Sequence, residues 1–258
     1  MPTAIIEGLP LHYTLSGRPG HPVLVFAHSL GVNLEMWQPQ LASLSPRFQI
    51  LRYDVRGHGG SGIPTGPANV EQLGRDVLGL LDHLRLERVA FCGLSMGGSI
   101  GQWLGINAPG RLQRLVLANA AAKIGSAETW NPRIALVERE GLAPVIPGTL
   151  ERWFTPAFHA AHPEVIASTR SQLEATAVPG YTACCAAVRD ADFRSTAASI
   201  SVPTLVLTGS HDPVTPPADA RWLADQIPHA RYLELPAAHL SSVEAAETFN
   251  HALLNFLG

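Results

Sequence analysis

The fold is decided by the stretch Val89-Ala-Phe-Cys-Gly-Leu-Ser-Met-Gly-Gly98. An apolar, β-prone run ends at Ser95, and a helical pattern follows, so the spacing predicts a strand, a sharp turn and a helix. The residues two before and two after such a turn must be tiny, and Gly93 and Gly97 meet that need. We therefore predict that Ser95 is a nucleophile pushed out of the sheet. The N–H of Met96, at the new helix N-terminus, is the first predicted oxyanion donor.

The length and composition of the chain limit the architectures and partners that are possible. The chain has 258 residues, 46% hydrophobic and 15% charged, which is enough for one α/β core with a modest insertion. Its net charge of −3 includes no basic cluster, so the sequence gives no indication of nucleic-acid binding.

The amino terminus and the cysteines indicate the compartment. Residues 1–7 lack a basic region followed by a long apolar stretch, so we expect no secretory signal and a cytoplasmic protein. Cys92, Cys184 and Cys185 show no C-x-x-C spacing, which predicts reduced, buried thiols and no zinc site. Residues 89–110 are uncharged and long enough to span a bilayer, but a strand, a turn and a buried helix explain them equally well. We therefore expect no membrane association.

Upstream of Ser95, residues 3–7 and 11–16 alternate like an edge hairpin. Residues 23–27 form a continuous apolar run, typical of a strand buried on both faces, and lead into a loop from His28 to Gly31. We assign the second oxyanion donor to the N–H of Leu30 in this loop. For His28 we expect a role in stabilising the turn.

The next strand, residues 48–55, leads into a glycine-rich turn over residues 56–61. The turn matches neither phosphate-binding pattern, G-x-x-x-x-G-K or G-x-G-x-x-G. We expect Asp54 and His58 to hold it by hydrogen bonds. Residues 70–85 follow as an amphipathic helix, so strands and helices alternate.

Beyond the buried strand at residues 112–121 the pattern becomes helical and is interrupted by prolines. We predict two units: an α/β core made of residues 1–121 and 198–258, and an inserted helical cap of residues 122–197.

Two later strands each deliver a polar residue at their ends. Residues 203–212 end in Asp212, and residues 230–236 are followed by the loop that carries His239. Ser95, Asp212 and His239 thus appear in the order serine, acid, histidine, each after a predicted parallel strand. They should converge at the carboxyl edge of the sheet.

These three residue types suit nucleophilic catalysis at an acyl carbon. Ser95 would attack, His239 would take its proton, and Asp212 would orient the imidazole. His211 and His229 are the alternatives for the base, but His211 adjoins Asp212 and His229 precedes its strand.

Further stretches carry a family resemblance. They are Ala27-His-Ser-Leu-Gly31, Tyr53-Asp-Val-Arg-Gly-His-Gly-Gly-Ser61, Asn119-Ala-Ala-Ala-Lys-Ile-Gly125, Glu151-Arg-Trp-Phe154, Gly180-Tyr-Thr-Ala-Cys-Cys185, Gly209-Ser-His-Asp-Pro-Val-Thr-Pro-Pro217 and Ala238-His-Leu-Ser-Ser-Val-Glu244. With the Ser95 turn, they make the chain resemble the α/β-hydrolase family and, within it, the 3-oxoadipate enol-lactonases. His28-Ser29 departs from the His-Gly of many relatives.

The resemblance implies a mostly parallel, eight-stranded sheet flanked by helices, with an inserted helical cap. It also implies hydrolysis of a small anionic lactone, 3-oxoadipate enol-lactone, without metal or organic cofactor, in the β-ketoadipate route of aromatic catabolism. The alternatives are another carboxylesterase or small-lactone hydrolase of the same fold and, more distantly, a non-catalytic ligand receptor. Dehalogenases and epoxide hydrolases of this fold need an aspartate in place of Ser95. The oligomeric state is left open.

The substrate carboxylate should be met by a cation of the cap. We favour Arg133, with Trp130 as an aromatic wall, because Asn131-Pro132 looks like an N-cap and a first helical position. Lys123 and Arg152 are the reserves. In the alternative interpretation, Arg133 only solvates the outside of the cap.

Overall fold

The computed structural model describes residues 2–258, which are built on one eight-stranded sheet of order β1-β2-β4-β3-β5-β6-β7-β8. The strands are β1 (Thr3–Ile6), β2 (Leu9–Ser16), β3 (Val23–Ala27), β4 (Gln49–Tyr53), β5 (Val89–Leu94), β6 (Leu112–Ala118), β7 (Thr204–Gly209) and β8 (Arg231–Leu235). β2 pairs antiparallel with both β1 and β4 at one edge of the sheet. From β4 onward, each strand in this order pairs parallel with the next. The predicted fold class is confirmed.

The helices lie between and beyond these strands. They are α1 (Gln38–Leu44), α2 (Val70–His83), α3 (Met96–Asn107), α4 (Ala127–Glu140), α5 (Ile146–Trp153), α6 (Pro156–Ala161), α7 (Pro163–Ala175), α8 (Val178–Asp190), α9 (Pro217–Gln226), α10 (Ser241–Glu244) and α11 (Ala246–Leu257). Across residues 2–258, none is both long enough and apolar enough to cross a bilayer. The uncharged stretch 89–110 forms β5 and α3.

The central strands are apolar because both of their faces are covered. Every residue of β3, β5 and β7 is buried. In the parallel register, Phe26 pairs with Cys92 and Leu117 with Val206. This packing fixes the height at which each strand ends.

The strand order brings the carboxyl ends that carry chemistry side by side. β5 ends just before Ser95, and its neighbours β3 and β6 end just before His28 and Asn119. β7 and β8 continue the row and end shortly before Asp212 and His239. The edge of the sheet therefore collects these residues from five strands.

Between β6 and β7 the chain is helical, from α4 to α8, and we call these the inserted helices. The predicted start of α4 was wrong: the helix begins at Ala127, not after Asn131, and Trp130 lies in its first turns. The Ser126 N–H donates to the Thr129 hydroxyl at 3.0 Å, which fixes the earlier start. Pro132 sits inside the helix, where its missing N–H removes one intrahelical hydrogen bond.

α8 approaches the core closely through two glycines. A Cβ atom on Gly180 would collide with the backbone of Gly57, in the loop after β4, and the reverse also holds. Gly57 also has φ of +77°, which favours glycine. The N-terminal end of α8 is thus seated directly on the loop that precedes α2.

Candidate active site

Ser95 occupies a strained turn between β5 and α3. Its φ and ψ are 58° and −112°, in a region that side chains other than glycine rarely adopt. A Cβ on Gly93 would collide with the Gly97 carbonyl, and one on Gly97 would collide with the Ala27 carbonyl. The two glycines therefore let the backbone reverse here, and Ser95 lies at the tip with only 7% of its surface exposed.

Asp212 and His239 form a buried pair. His239 Nδ1 lies 2.8 Å from Asp212 Oδ2, and both side chains are shielded from solvent. An ionised carboxylate can only accept, so His239 carries its proton on Nδ1. This tautomer leaves Nε2 as a free acceptor, as a general base requires.

The Asp212 carboxylate is saturated with donors. Oδ1 accepts from the N–H groups of Val214 at 2.7 Å and Thr215 at 3.1 Å, and Oδ2 accepts from the Thr215 hydroxyl at 2.7 Å and from Asn119 Nδ2 at 2.9 Å. Burial alone would raise the pKa of Asp212, but His239 and these hydrogen bonds lower that pKa to about 2. Asp212 is therefore ionised at neutral pH.

Asn119, which the sequence reasoning did not assign to the site, links the acid to the histidine loop. Its amide donates to Asp212 and, at 3.2 Å, to the Ala238 carbonyl, while its oxygen accepts from the Ser241 hydroxyl. It is fully buried and has φ of 44°, a conformation that asparagine tolerates better than most residues. An asparagine directly after a buried strand was the available signal.

Glu244 is a second residue that the sequence reasoning missed. Its carboxylate accepts from the Ala238 N–H at 2.9 Å and from both the N–H and the hydroxyl of Thr155. Thr155 caps α6, so Glu244 ties the loop of His239 to the inserted helices. Its spacing, five residues after His239, was the only signal in the sequence.

Two neutral histidines hold the loop after β3. His28 Nδ1 donates to the Ser29 carbonyl at 2.7 Å and Nε2 accepts from the Val55 N–H at 2.9 Å. His58 Nε2 accepts from the Gly31 N–H at 2.9 Å. Burial lowers the pKa of both imidazoles, that of His58 to about 3 with a further contribution from His28. Both histidines stabilise the loop after β3 by hydrogen bonds, and His58 does so from the separate turn that follows β4.

The predicted oxyanion donors belong to two different segments of the chain. Met96 is the first residue of α3 and is buried, while Leu30 lies in the braced loop and lines the same cavity as Ser95. The N–H groups of Leu30 and Met96 remain our predicted oxyanion hole.

A small cavity of about 70 Å³ joins these elements. It is lined by Ser29, Leu30, Ser95, Ile124, Trp130, Arg133, Thr149, Arg152, Trp153, Tyr181, Val188, Val214 and His239. Drug-sized ligands occupy pockets of roughly 300 to 1,000 Å³, so this cavity suits a small compound.

Arg133 faces this cavity and is held in place. Its Nε donates to the Tyr181 hydroxyl and its Nη2 to the Thr149 hydroxyl, each at 2.8 Å. Neither partner is an acid, and Arg133 makes no ion pair with any residue from 2 to 258. It is therefore a fixed cation beside Ser95 and does not project from the outside of the inserted helices.

Of the other residues predicted to meet the substrate, two line the cavity and one does not. Trp130 lines the cavity, with its indole N–H donating to the Ile124 carbonyl at 2.7 Å. Arg152 also lines it, whereas Lys123 lies elsewhere, 3.7 Å from the Asp192 carboxylate.

The alternative bases lie away from the pair. His211 is exposed and contacts the Ser210 hydroxyl, and His229 is an exposed residue with φ of 59°. Neither makes a hydrogen bond to Asp212 in the described chain. Residues 2–258 also contain no cluster of three or more histidine, cysteine or acidic side chains able to hold a metal.

Comparison with known proteins identifies the family. The family model described as α/β hydrolase fold matches residues 22–246. The chain belongs to the α/β hydrolase family. This α/β hydrolase is 43% identical to 3-oxoadipate enol-lactonase 2 of Acinetobacter baylyi, over 97% of this chain and 94% of that protein.

Two further relatives are informative. The crystal structure of the enol-lactonase from Burkholderia xenovorans LB400 matches this α/β hydrolase with a TM-score of 0.98 and 44% identity, over 99% of both chains. A putative carbamate hydrolase, RutD of Variovorax paradoxus, is 31% identical over 96% of both proteins.

Proposed function

We propose that this protein hydrolyses the lactone ring of 3-oxoadipate enol-lactone to 3-oxoadipate in the β-ketoadipate pathway. The observation that carries the proposal is a small cavity in which Ser95 and His239 lie beside the fixed cation Arg133. Similarity to enol-lactonases over nearly the whole chain, including the inserted helices, supports this substrate over other small esters.

In the first step the Ser95 hydroxyl attacks the lactone carbonyl while His239 Nε2 takes its proton. Asp212, ionised and bound to Nδ1, stabilises the imidazolium that forms. The carbonyl electrons move onto the oxygen, where the N–H groups of Leu30 and Met96 would bind the developing charge.

Collapse of this intermediate breaks the ring C–O bond and leaves an acyl-Ser95. The leaving group is an enolate, which the His239 imidazolium protonates so that it becomes a ketone, and its expulsion is easier than that of an alkoxide. His239 is then neutral again. Water, deprotonated by His239, then attacks the acyl carbon and releases Ser95 and the second carboxylate.

The substrate also carries a carboxylate that takes no part in ring opening. We propose that Arg133 binds it, since a charge moved from water into the cavity needs a cation to offset several kcal/mol of lost hydration. Trp130 would form the wall beside the ring. Residues 122–197 would then act as the cap that reads the substrate, while the core carries the chemistry.

The chemistry described needs only side chains and backbone N–H groups of this chain. We propose that the protein works in the cytoplasm without metal or organic cofactor. Its three buried free thiols are compatible with a reducing compartment.

The test is the rate of ring opening of the enol-lactone, compared with neutral aryl esters and small carbamates. We expect kcat/KM to be highest for the enol-lactone, and Ser95→Ala to fold normally but lose roughly 10⁵ to 10⁶ in kcat. A preference for neutral esters or carbamates would point to another hydrolase of this family. Turnover of Ser95→Ala within about tenfold of wild type would rule out the serine mechanism.

A further inference from the structure

A second pocket lies against the outer side of the active-site wall. It measures about 510 Å³, and its lining includes Glu151, Arg152, Ala157, His211 and Pro213. We call it the outer pocket. It is open to solvent and lies between α5, α6 and the segment that carries Asp212.

The outer pocket adjoins the active-site cavity. Arg152 lines both spaces. Elsewhere, neighbouring residues face opposite sides: Trp153, Val214 and His239 line the cavity, while Phe154, Pro213 and Ala238 line the outer pocket. Residues adjacent along the chain therefore separate the two spaces at three places, and the Arg152 side chain borders both of them.

Arg152 differs from Arg133 in how it is held. Arg133 is anchored by Tyr181 and Thr149, whereas the Arg152 guanidinium makes neither a hydrogen bond nor an ion pair with any residue from 2 to 258. Partial burial, together with the nearby charge of Arg133, lowers the pKa of Arg152. Arginine nonetheless stays charged at neutral pH. Arg152 is thus an exposed cation that is not tied to a protein partner among residues 2–258 and that borders both the outer pocket and the active-site cavity.

An anionic substrate loses much of its hydration shell when it enters a cavity of about 70 Å³. Losing its hydration shell is unfavourable unless a cation accompanies it. A guanidinium that can reach both spaces lowers that barrier, since it can bind the carboxylate outside and release it near Arg133. Glu151, on the rim of the outer pocket, disfavours a long stay of the anion there.

Building on the proposed function, we propose that the outer pocket is the channel to Ser95 and that Arg152 is the specificity-determining residue that carries the substrate carboxylate through it. Ring opening adds a second carboxylate, so the product is a dianion. Arg152 would also accompany its release, while the fixed Arg133 keeps the bound substrate in register.

The first test replaces the charge. For Arg152→Gln we expect kcat/KM for the enol-lactone to fall about tenfold and to lose most of its dependence on salt, with kcat nearly unchanged because Arg133 still orients the bound substrate. Arg152→Lys should restore most of the activity. Hydrolysis of a neutral aryl acetate should fall much less. Equal losses on charged and neutral substrates, or no loss on either, would overturn the role of Arg152.

The second test blocks the channel. Ala157→Trp places a large ring in the outer pocket and should reduce kcat/KM for charged and neutral substrates alike. Ala160→Trp, an exposed position on the same helix α6 that does not line the pocket, is the matched control and should have no effect. Thermal unfolding of both variants checks that they fold. If Ala157→Trp is as active as Ala160→Trp, the substrate enters elsewhere.

Failure of this proposal is distinguishable from failure of the proposed function. If the wild-type protein does not open the enol-lactone, the proposed function fails. A monoaryl succinate and an aryl acetate, which differ by one carboxymethyl group, still test Arg152 and Ala157 with the same variants. A protein that cleaves none of these compounds would overturn both proposals.

Discussion

Replacing Asp212 by asparagine should disable the base without changing the shape of the site. Asp212 Oδ2 accepts hydrogen bonds from His239, the Thr215 hydroxyl and Asn119. An NH₂ group in that place would face three donors. His239 can relieve the conflict by moving its proton to Nε2, which leaves no lone pair for Ser95, so we expect kcat to fall roughly 10⁴-fold.

The same substitution should change stability in a pH-dependent way. The pKa of Asp212 is lowered from 3.8 to about 2 in the folded protein. A shift of this size corresponds to about 2.5 kcal/mol at roughly 1.4 kcal/mol per pKa unit. Because the folded pKa is the lower one, this stabilisation is present above about pH 4 and is lost as the pH falls towards 2. Asp212→Asn lacks it at every pH.

Urea unfolding of both proteins between pH 6 and pH 2.5 measures this difference. We expect the gap in unfolding free energy to shrink by about 1.6 kcal/mol as the pH falls through this range. Asp219→Asn, at an exposed acid in the first turn of α9, should leave both activity and the pH profile unchanged. A gap that is constant with pH, or turnover of Asp212→Asn within tenfold of wild type, would refute the reasoning.

Three further substitutions test other residues of the site. Arg133→Gln should weaken transition-state stabilisation for the enol-lactone, measured through kcat/KM, by roughly 2 to 4 kcal/mol but barely affect aryl acetates. Tyr181→Phe, which keeps the guanidinium, should have a smaller effect. Equal losses on both substrates would mean that Arg133 only supports the inserted helices. Asn119→Ala removes three buried hydrogen bonds and should cost about 3 kcal/mol in urea unfolding, and unchanged stability would contradict its bridging role. Glu244→Gln places an NH₂ group against donors and should reduce kcat about tenfold on aryl acetates with little change in KM; an unaltered kcat would show that the tie to Thr155 does not position His239.

The sequence was most informative where a local pattern determines the structure. The apolar runs of β3, β5 and β7 are buried on both faces, and the glycines at 93 and 97 permit the turn at Ser95. The order of Ser95, Asp212 and His239 along the chain was enough to predict the contact between Asp212 and His239, because parallel strands end at one edge of the sheet.

The residues that were missed depend on contacts distant in sequence. Asn119 meets partners about 90 to 120 positions away, and Glu244 meets Thr155 at a separation of 89. No local pattern encodes such distances. The wrong start of α4 has a different cause. Asn131-Pro132 is a strong local signal for a helix start, but the helix already begins after Ser126 and continues through both residues.

The backbone of Ser95 has a consequence for protein engineering. Holding a serine at φ 58° and ψ −112° costs about 1 to 3 kcal/mol relative to a residue that prefers this region. Glycine is such a residue, so Ser95→Gly should make the protein more resistant to heat while removing its nucleophile. A directed-evolution screen scored only on heat resistance would therefore enrich inactive clones, and a screen for a sturdier catalyst must select for turnover in the same round.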